Sequence, residues 1–126
     1  MKILLVNDEM DVTYLFEQYI RKEIRSLEME FMFAFSGEHA FNYLQVYSHE
    51  TVLILSDINM PGMSGLQLLR MIKETYESPK PHVMMMAAYG DDENYRLAMK
   101  YGADDFLTKP VDFISLKEKL NKVANS

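Results

Sequence analysis

The sequence predicts an α/β fold: a five-stranded parallel, doubly wound sheet built from alternating β-α units. Two observations predict it. Short, continuously apolar runs alternate with longer segments of helical period, and three of the short runs end in charged or polar residues, where a buried strand would pass into a loop. The 126 residues fit a single domain, 1–126, long enough for a core on both sides of a sheet. No internal repeat, low-complexity segment or linker interrupts the pattern.

The first strand is Ile3-Leu4-Leu5-Val6, closed by Asn7-Asp8-Glu9. A helix beginning near Met10 follows, its apolar positions Val12, Leu15, Phe16, Tyr19, Ile20, Ile24 and Leu27 recurring at the 3.6 period. Phe31-Met32-Phe33-Ala34-Phe35 is the second strand, and Ser36 is placed to cap the second helix. Val52-Leu53-Ile54-Leu55 is the third, and after a turn at Met60-Pro61-Gly62 the third helix starts at Ser64-Gly65. Val83-Met84-Met85-Met86 is the fourth strand; Asp91 or Asp92 opens the fourth helix and Gly102 closes it as a left-handed cap. Phe106-Leu107 is the fifth strand, and Asp112 opens a last helix patterned on Phe113, Leu116, Leu120 and Val123. The first, third and fourth runs have no polar alternation, as strands covered on both faces should not. Right-handed crossovers assemble such units into one doubly wound sheet.

Composition narrows the function. Thirteen Lys and Arg against nineteen Asp and Glu give a formal charge of −6, without a basic run that would track a phosphate backbone, so direct nucleic-acid binding is not expected. The absence of cysteine excludes disulfides, thiolate metal sites and Cys nucleophiles. No apolar stretch approaches the roughly 18 residues of a spanning helix, and the first run is too short for a signal peptide. A cytoplasmic protein without membrane contact is the expectation.

In a parallel sheet, ligands bind in the crevice beyond the carboxyl ends of the strands. Three stretches end there. Asn7-Asp8-Glu9 supplies carboxylates, hard oxygen ligands suited to Mg²⁺, although Asp8 or Glu9 would equally serve as an ordinary acidic cap on the first helix. Asp57-Ile58-Asn59-Met60-Pro61-Gly62 exposes a carboxylate at a tight turn, where it can act as a nucleophile and form an acyl phosphate if a cation neutralises the incoming oxygens; a plain turn needs no Asp there. Lys109-Pro110 adds a point positive charge for a phosphate oxygen, against the plainer reading of a solvated Lys before a turn.

In these motifs the chain resembles the receiver domain of two-component response regulators, from Met1 to Asn125. The resemblance implies a flavodoxin-like fold and a phosphoacceptor, Asp57, loaded by a histidine kinase, a phosphotransfer protein or a small acyl phosphate. It implies that Asp8, Asp57 and the backbone carbonyl of Asn59 bind Mg²⁺, that Lys109 contacts the phosphoryl group, and that the bond to Pro110 is cis. Phe106 matches the family's switch aromatic, which reports phosphorylation on the surface of helix 4, strand 5 and helix 5. Such a module is not an enzyme beyond its own phosphorylation and dephosphorylation. Its output goes to a downstream target protein or to an effector domain of a longer regulator.

Two positions depart from the family pattern. Asn7 stands where the first of two adjacent acids is usual; it can still hold a metal-bound water. At a separation near 6 Å and an effective dielectric near 20, the missing charge is worth roughly 2–3 kcal/mol of cation attraction before screening. Ala87 stands at the family's Ser or Thr, whose hydroxyl bonds the phosphoryl group in the active state. Losing a bond to a charged group, roughly 1.5–3 kcal/mol, would weaken the active-state bias by about 10- to 150-fold. Asn59 and Tyr89, two residues beyond Asp57 and Ala87, are expected to flank the path of the water that attacks the phosphoryl group.

Two other functions compete. A phosphate-independent interaction domain is motivated by Asn7 and Ala87 and opposed by Asp57 and Lys109. An aspartyl-phosphate hydrolase would need a carboxylate general acid where the chain has Asn59, and a cap over the site. The eleven Met residues, including Met84-Met85-Met86, read as adaptable core packing. His39, His49 and His82 lack helical spacing to one another and cysteine partners, and neither a Walker A sequence nor a Gly-x-Gly-x-x-Gly loop occurs.

Overall fold

Ten elements alternate along the chain in the computed structural model, which describes residues 2–23, 29–47, 50, 53–76 and 81–125. They are β1 (Lys2–Val6), α1 (Met10–Glu23), β2 (Glu30–Ala34), α2 (Gly37–Tyr47), β3 (Leu53–Asp57), α3 (Gly65–Thr75), β4 (His82–Ala88), α4 (Asp92–Lys100), β5 (Asp105–Lys109) and α5 (Phe113–Ala124). The five strands form one parallel sheet in the order β2-β1-β3-β4-β5.

Alternation of side chains along each strand explains the unbroken apolar runs. Leu4, Val6, Ile54, Val83, Met85 and Ala87 face a core shared with Ala40 and Leu44 of α2, Leu68, Leu69 and Ile72 of α3, and Ala98 of α4. Their neighbours Ile3, Leu5, Leu53, Leu55, Met84, Met86 and Leu107 face the opposite core, with Phe16 and Ile20 of α1 and Leu116 and Leu120 of α5. Both faces are therefore covered, and each buried large aliphatic contributes roughly 1.5–3 kcal/mol. The consecutive methionines of β4 divide between the two cores.

The predicted helix starts are observed. Ser64 accepts the Gln67 N–H while Gln67 accepts the Ser64 N–H, a reciprocal box on α3. Asp91 rather than Asp92 caps α4, and Asp112 caps α5. Ser36 Oγ accepts the His39 N–H at α2. Gly102, at φ 95°, follows α4.

Several boundaries differ from expectation. β3, β4 and β5 run on to Asp57, Ala88 and Lys109, because strand pairing continues past the large apolar residues. Phe35 lies beyond β2, while Val52, Ile24, Leu27 and His49 fall outside the described residues. On α1 the buried stripe is Thr13, Phe16 and Ile20; Val12 is exposed and Leu15 is 68% exposed. These two sit on the flank of the helix, where they line a groove of about 510 Å³ shared with Val111 and Phe113.

Candidate functional site

The direction of winding reverses between β1 and β3, which lie side by side, and the crevice beyond their carboxyl ends gathers the polar residues. Asp57 ends β3 and is only 5% exposed. Its Oδ2 accepts a hydrogen bond from Lys109 Nζ at 2.6 Å, whereas Oδ1, also buried, has no partner. Lys109 ends β5 and reaches over β4, its side chain 41% exposed, and the Lys109–Pro110 peptide is cis.

Asn7 directly follows β1. Its backbone N–H donates to Ala34 O at 3.1 Å, and its buried side-chain Oδ1 accepts the Glu9 N–H at 2.8 Å, a local turn that launches α1. Asp8 and Glu9, which follow in this turn, are both exposed at the rim, and the Glu9 carbonyl accepts the Thr13 N–H at the start of α1. The turn was readable in an Asn two residues before a free amide.

Beyond Asp57 the chain is held close to the sheet. Ile58 N–H donates to Met86 O at 2.9 Å and Gly65 N–H to Ile58 O at 2.7 Å. A Cβ on Gly65 would lie 2.1 Å from the Asp57 carbonyl oxygen, so the start of α3 can approach the strand end only as glycine. Asn59, exposed, occupies the loop between.

Ala87 is fully buried, and Phe106 packs half-buried against the same core. The Tyr95 ring meets Phe106 edge-on, with centroids 5.0 Å apart at 86°. Sequence reading did not find Tyr95, because an exposed helical tyrosine has no local mark of what it touches. Tyr89, two residues beyond Ala87, is exposed at the surface.

A divalent cation fits this donor set. Buried polar oxygens nearly always have partners, and Asp57 Oδ1 has none from the protein. Mg²⁺ commonly takes one or two carboxylates and keeps several waters. Among the described residues no three His, Cys, Asp or Glu side chains cluster, so a cation here would rely on few carboxylates and on waters.

A family model described as the response regulator receiver domain matches residues 3–121. The chain belongs to this family. Response regulator RppA of Synechocystis sp. is 35% identical over 120 residues, covering 95% of this chain and 49% of that protein. Transcriptional regulatory protein CpxR of Escherichia coli is 30% identical over 122 residues, covering 97% and 48%. The chain spans about half the length of these curated relatives. Among solved structures, a response regulator receiver domain protein from Clostridium thermocellum superposes with a TM-score of 0.81 at 30% identity, covering 98% of this chain and 94% of the other. The flavodoxin-like sheet and its five helices are thus those of a receiver domain. Among the described residues of this receiver domain, no helix is long and apolar enough to cross a membrane.

Proposed function

We propose that this receiver domain accepts a phosphoryl group on Asp57 and signals its arrival through Phe106. The observation that carries the reading is the Asp57 carboxylate itself, buried, held on one oxygen by Lys109 and without a protein partner on the other. A carboxylate oxygen of Asp57 attacks phosphorus of a phosphohistidine or a small acyl phosphate; the bond from phosphorus to the donor's nitrogen or oxygen breaks, and its electron pair leaves with the donor. Asp8, Asp57 and the carbonyl of Asn59 hold Mg²⁺, which supplies charge neutralisation for the phosphoryl oxygens. Lys109 moves its ammonium from the carboxylate toward the transferred group, where negative charge accumulates. A histidine kinase or phosphotransfer protein is the donor this chemistry suits, and a target protein or an attached effector domain receives the output.

Intact mass after incubation with Mg²⁺ and acetyl phosphate tests the reading. One phosphoryl adduct is expected, absent in Asp57→Ala and after EDTA treatment. No adduct on natively folded protein would sink it and favour a phosphate-independent interaction domain, the reading that Ala87 supports.

A further inference from the structure

The β3–α3 loop, which carries Asn59, is gripped from outside the crevice by α2. Glu38, in the first turn of α2, accepts the Met63 N–H on its Oε1, 25 residues away in the chain. Two glycines make the approach possible. Gly62 has φ 73°, and a Cβ there would lie 2.9 Å from Glu38 Oε1; a Cβ on Gly37 would lie 2.9 Å from the Met63 Cβ and carbonyl oxygen. At its start the loop is fixed by the Ile58 N–H bond to Met86, and just beyond Met63 by the Gly65 N–H bond to Ile58 and the Ser64–Gln67 box. Between the two anchors lie Asn59, a buried Met60, Pro61 and Gly62.

We propose that Glu38 is a positioning residue for cation binding: its hydrogen bond to Met63 fixes the loop so that the Asn59 carbonyl is presented beside Asp57. This rests on the phosphoacceptor reading above. Glu38 is exposed and, among the described residues, forms no ion pair, so its carboxylate is committed to the loop. An acid in the first turn also favours α2 through the helix dipole, and that simpler role predicts a different outcome. Glu38→Gln keeps the acceptor oxygen and loses the charge; Glu38→Ala loses both.

The test measures hydrogen exchange of the Met63 amide without metal, and Mg²⁺ affinity by titration calorimetry, on the wild type and both variants. In Glu38→Ala the Met63 amide is expected to exchange about tenfold faster and Mg²⁺ to bind about threefold to tenfold more weakly, the range of one lost hydrogen bond. Glu38→Gln is expected to stay within about twofold of wild type in both. Equal loss in the two variants would assign the effect to charge and overturn the proposal, as would wild-type Mg²⁺ affinity in Glu38→Ala. If the wild type bound no Mg²⁺ at all, the phosphoacceptor reading itself would fall, and the role of Glu38 with it.

Discussion

Lys109 reaches from the end of β5 across β4 and places its Nζ 2.6 Å from Oδ2 of Asp57 at the end of β3, joining residues 52 apart in sequence. The ammonium is half-exposed but its partner carboxylate is buried, so losing Lys109 leaves an unpaired buried charge and lowers stability. Its larger effect is expected on transfer. Removing a charge donor from developing phosphoryl charge typically costs about 10²-fold in rate. Lys109→Ala should therefore slow adduct formation from acetyl phosphate by about that factor and lower its thermal midpoint, with the rate compared under conditions where the variant stays folded. A time course of intact mass checks this, and an unchanged rate would remove Lys109 from the chemistry.

Asn7→Asp restores a second acid beside Asp8 without disturbing the turn, because an Asp Oδ can still accept the Glu9 N–H. The new charge sits in a buried position near Asp57, so like-charge repulsion should lower the metal-free thermal midpoint. With Mg²⁺ the sign reverses. Affinity should rise by about tenfold, the Coulomb gain after screening, and the Mg²⁺-induced rise in midpoint should grow by mass action. Calorimetric titration together with melting curves at several Mg²⁺ concentrations would show both; a variant with unaltered affinity would mean that the Asn7 position lies too far from the cation to matter.

What the sequence showed and what it hid divide along physical lines. β1, β3 and β4 were legible because burial on both faces leaves no polar alternation, and Ser64, Asp91 and Asp112 because a cap is a contact within three residues. Asp57 and Lys109 were legible as crevice residues, but the strands that carry them run farther than apolar pattern alone suggests. The Leu15 position misled, since the 3.6 period marks an apolar flank as readily as a buried stripe. Glu38–Met63 and Tyr95–Phe106 are tertiary pairs with no local signature, and only the fold brings them together.

Under the proposed function, Ala87 would bear on output rather than on loading. Ala87→Thr supplies the hydroxyl that a phosphoryl oxygen could accept from, at the cost of added volume in a fully buried place, about 1–3 kcal/mol of stability. Beryllofluoride, a phosphoryl mimic, should shift the amide resonances of Tyr95 and Phe106 only modestly in the wild type. The threonine variant should populate the shifted state about tenfold or more over wild type. Two-dimensional NMR of both proteins decides the matter: equal shifts would show that the chain couples Asp57 to Phe106 without a hydroxyl at this position.

Gly65 offers the sharpest test of how the site is built. Its missing side chain lets α3 begin against the Asp57 carbonyl and the Ile58 Cα, at distances a Cβ would reduce to 2.1 and 2.7 Å. Both obstacles are backbone atoms, so no rotamer change relieves them. Gly65→Ala must push α3 outward, straining the Gly65–Ile58 hydrogen bond and the loop between. The expected loss is about 3 kcal/mol, the upper end for overpacking, read as a lower urea midpoint with the slope unchanged. Mg²⁺ affinity should fall alongside it, because the same displacement carries Asn59 away from Asp57. Serine at 65 should behave no better than alanine, since the clash is with Cβ itself and not with anything beyond it; a stable Gly65→Ala protein with normal Mg²⁺ binding would show that the loop can re-form at a different height above the sheet.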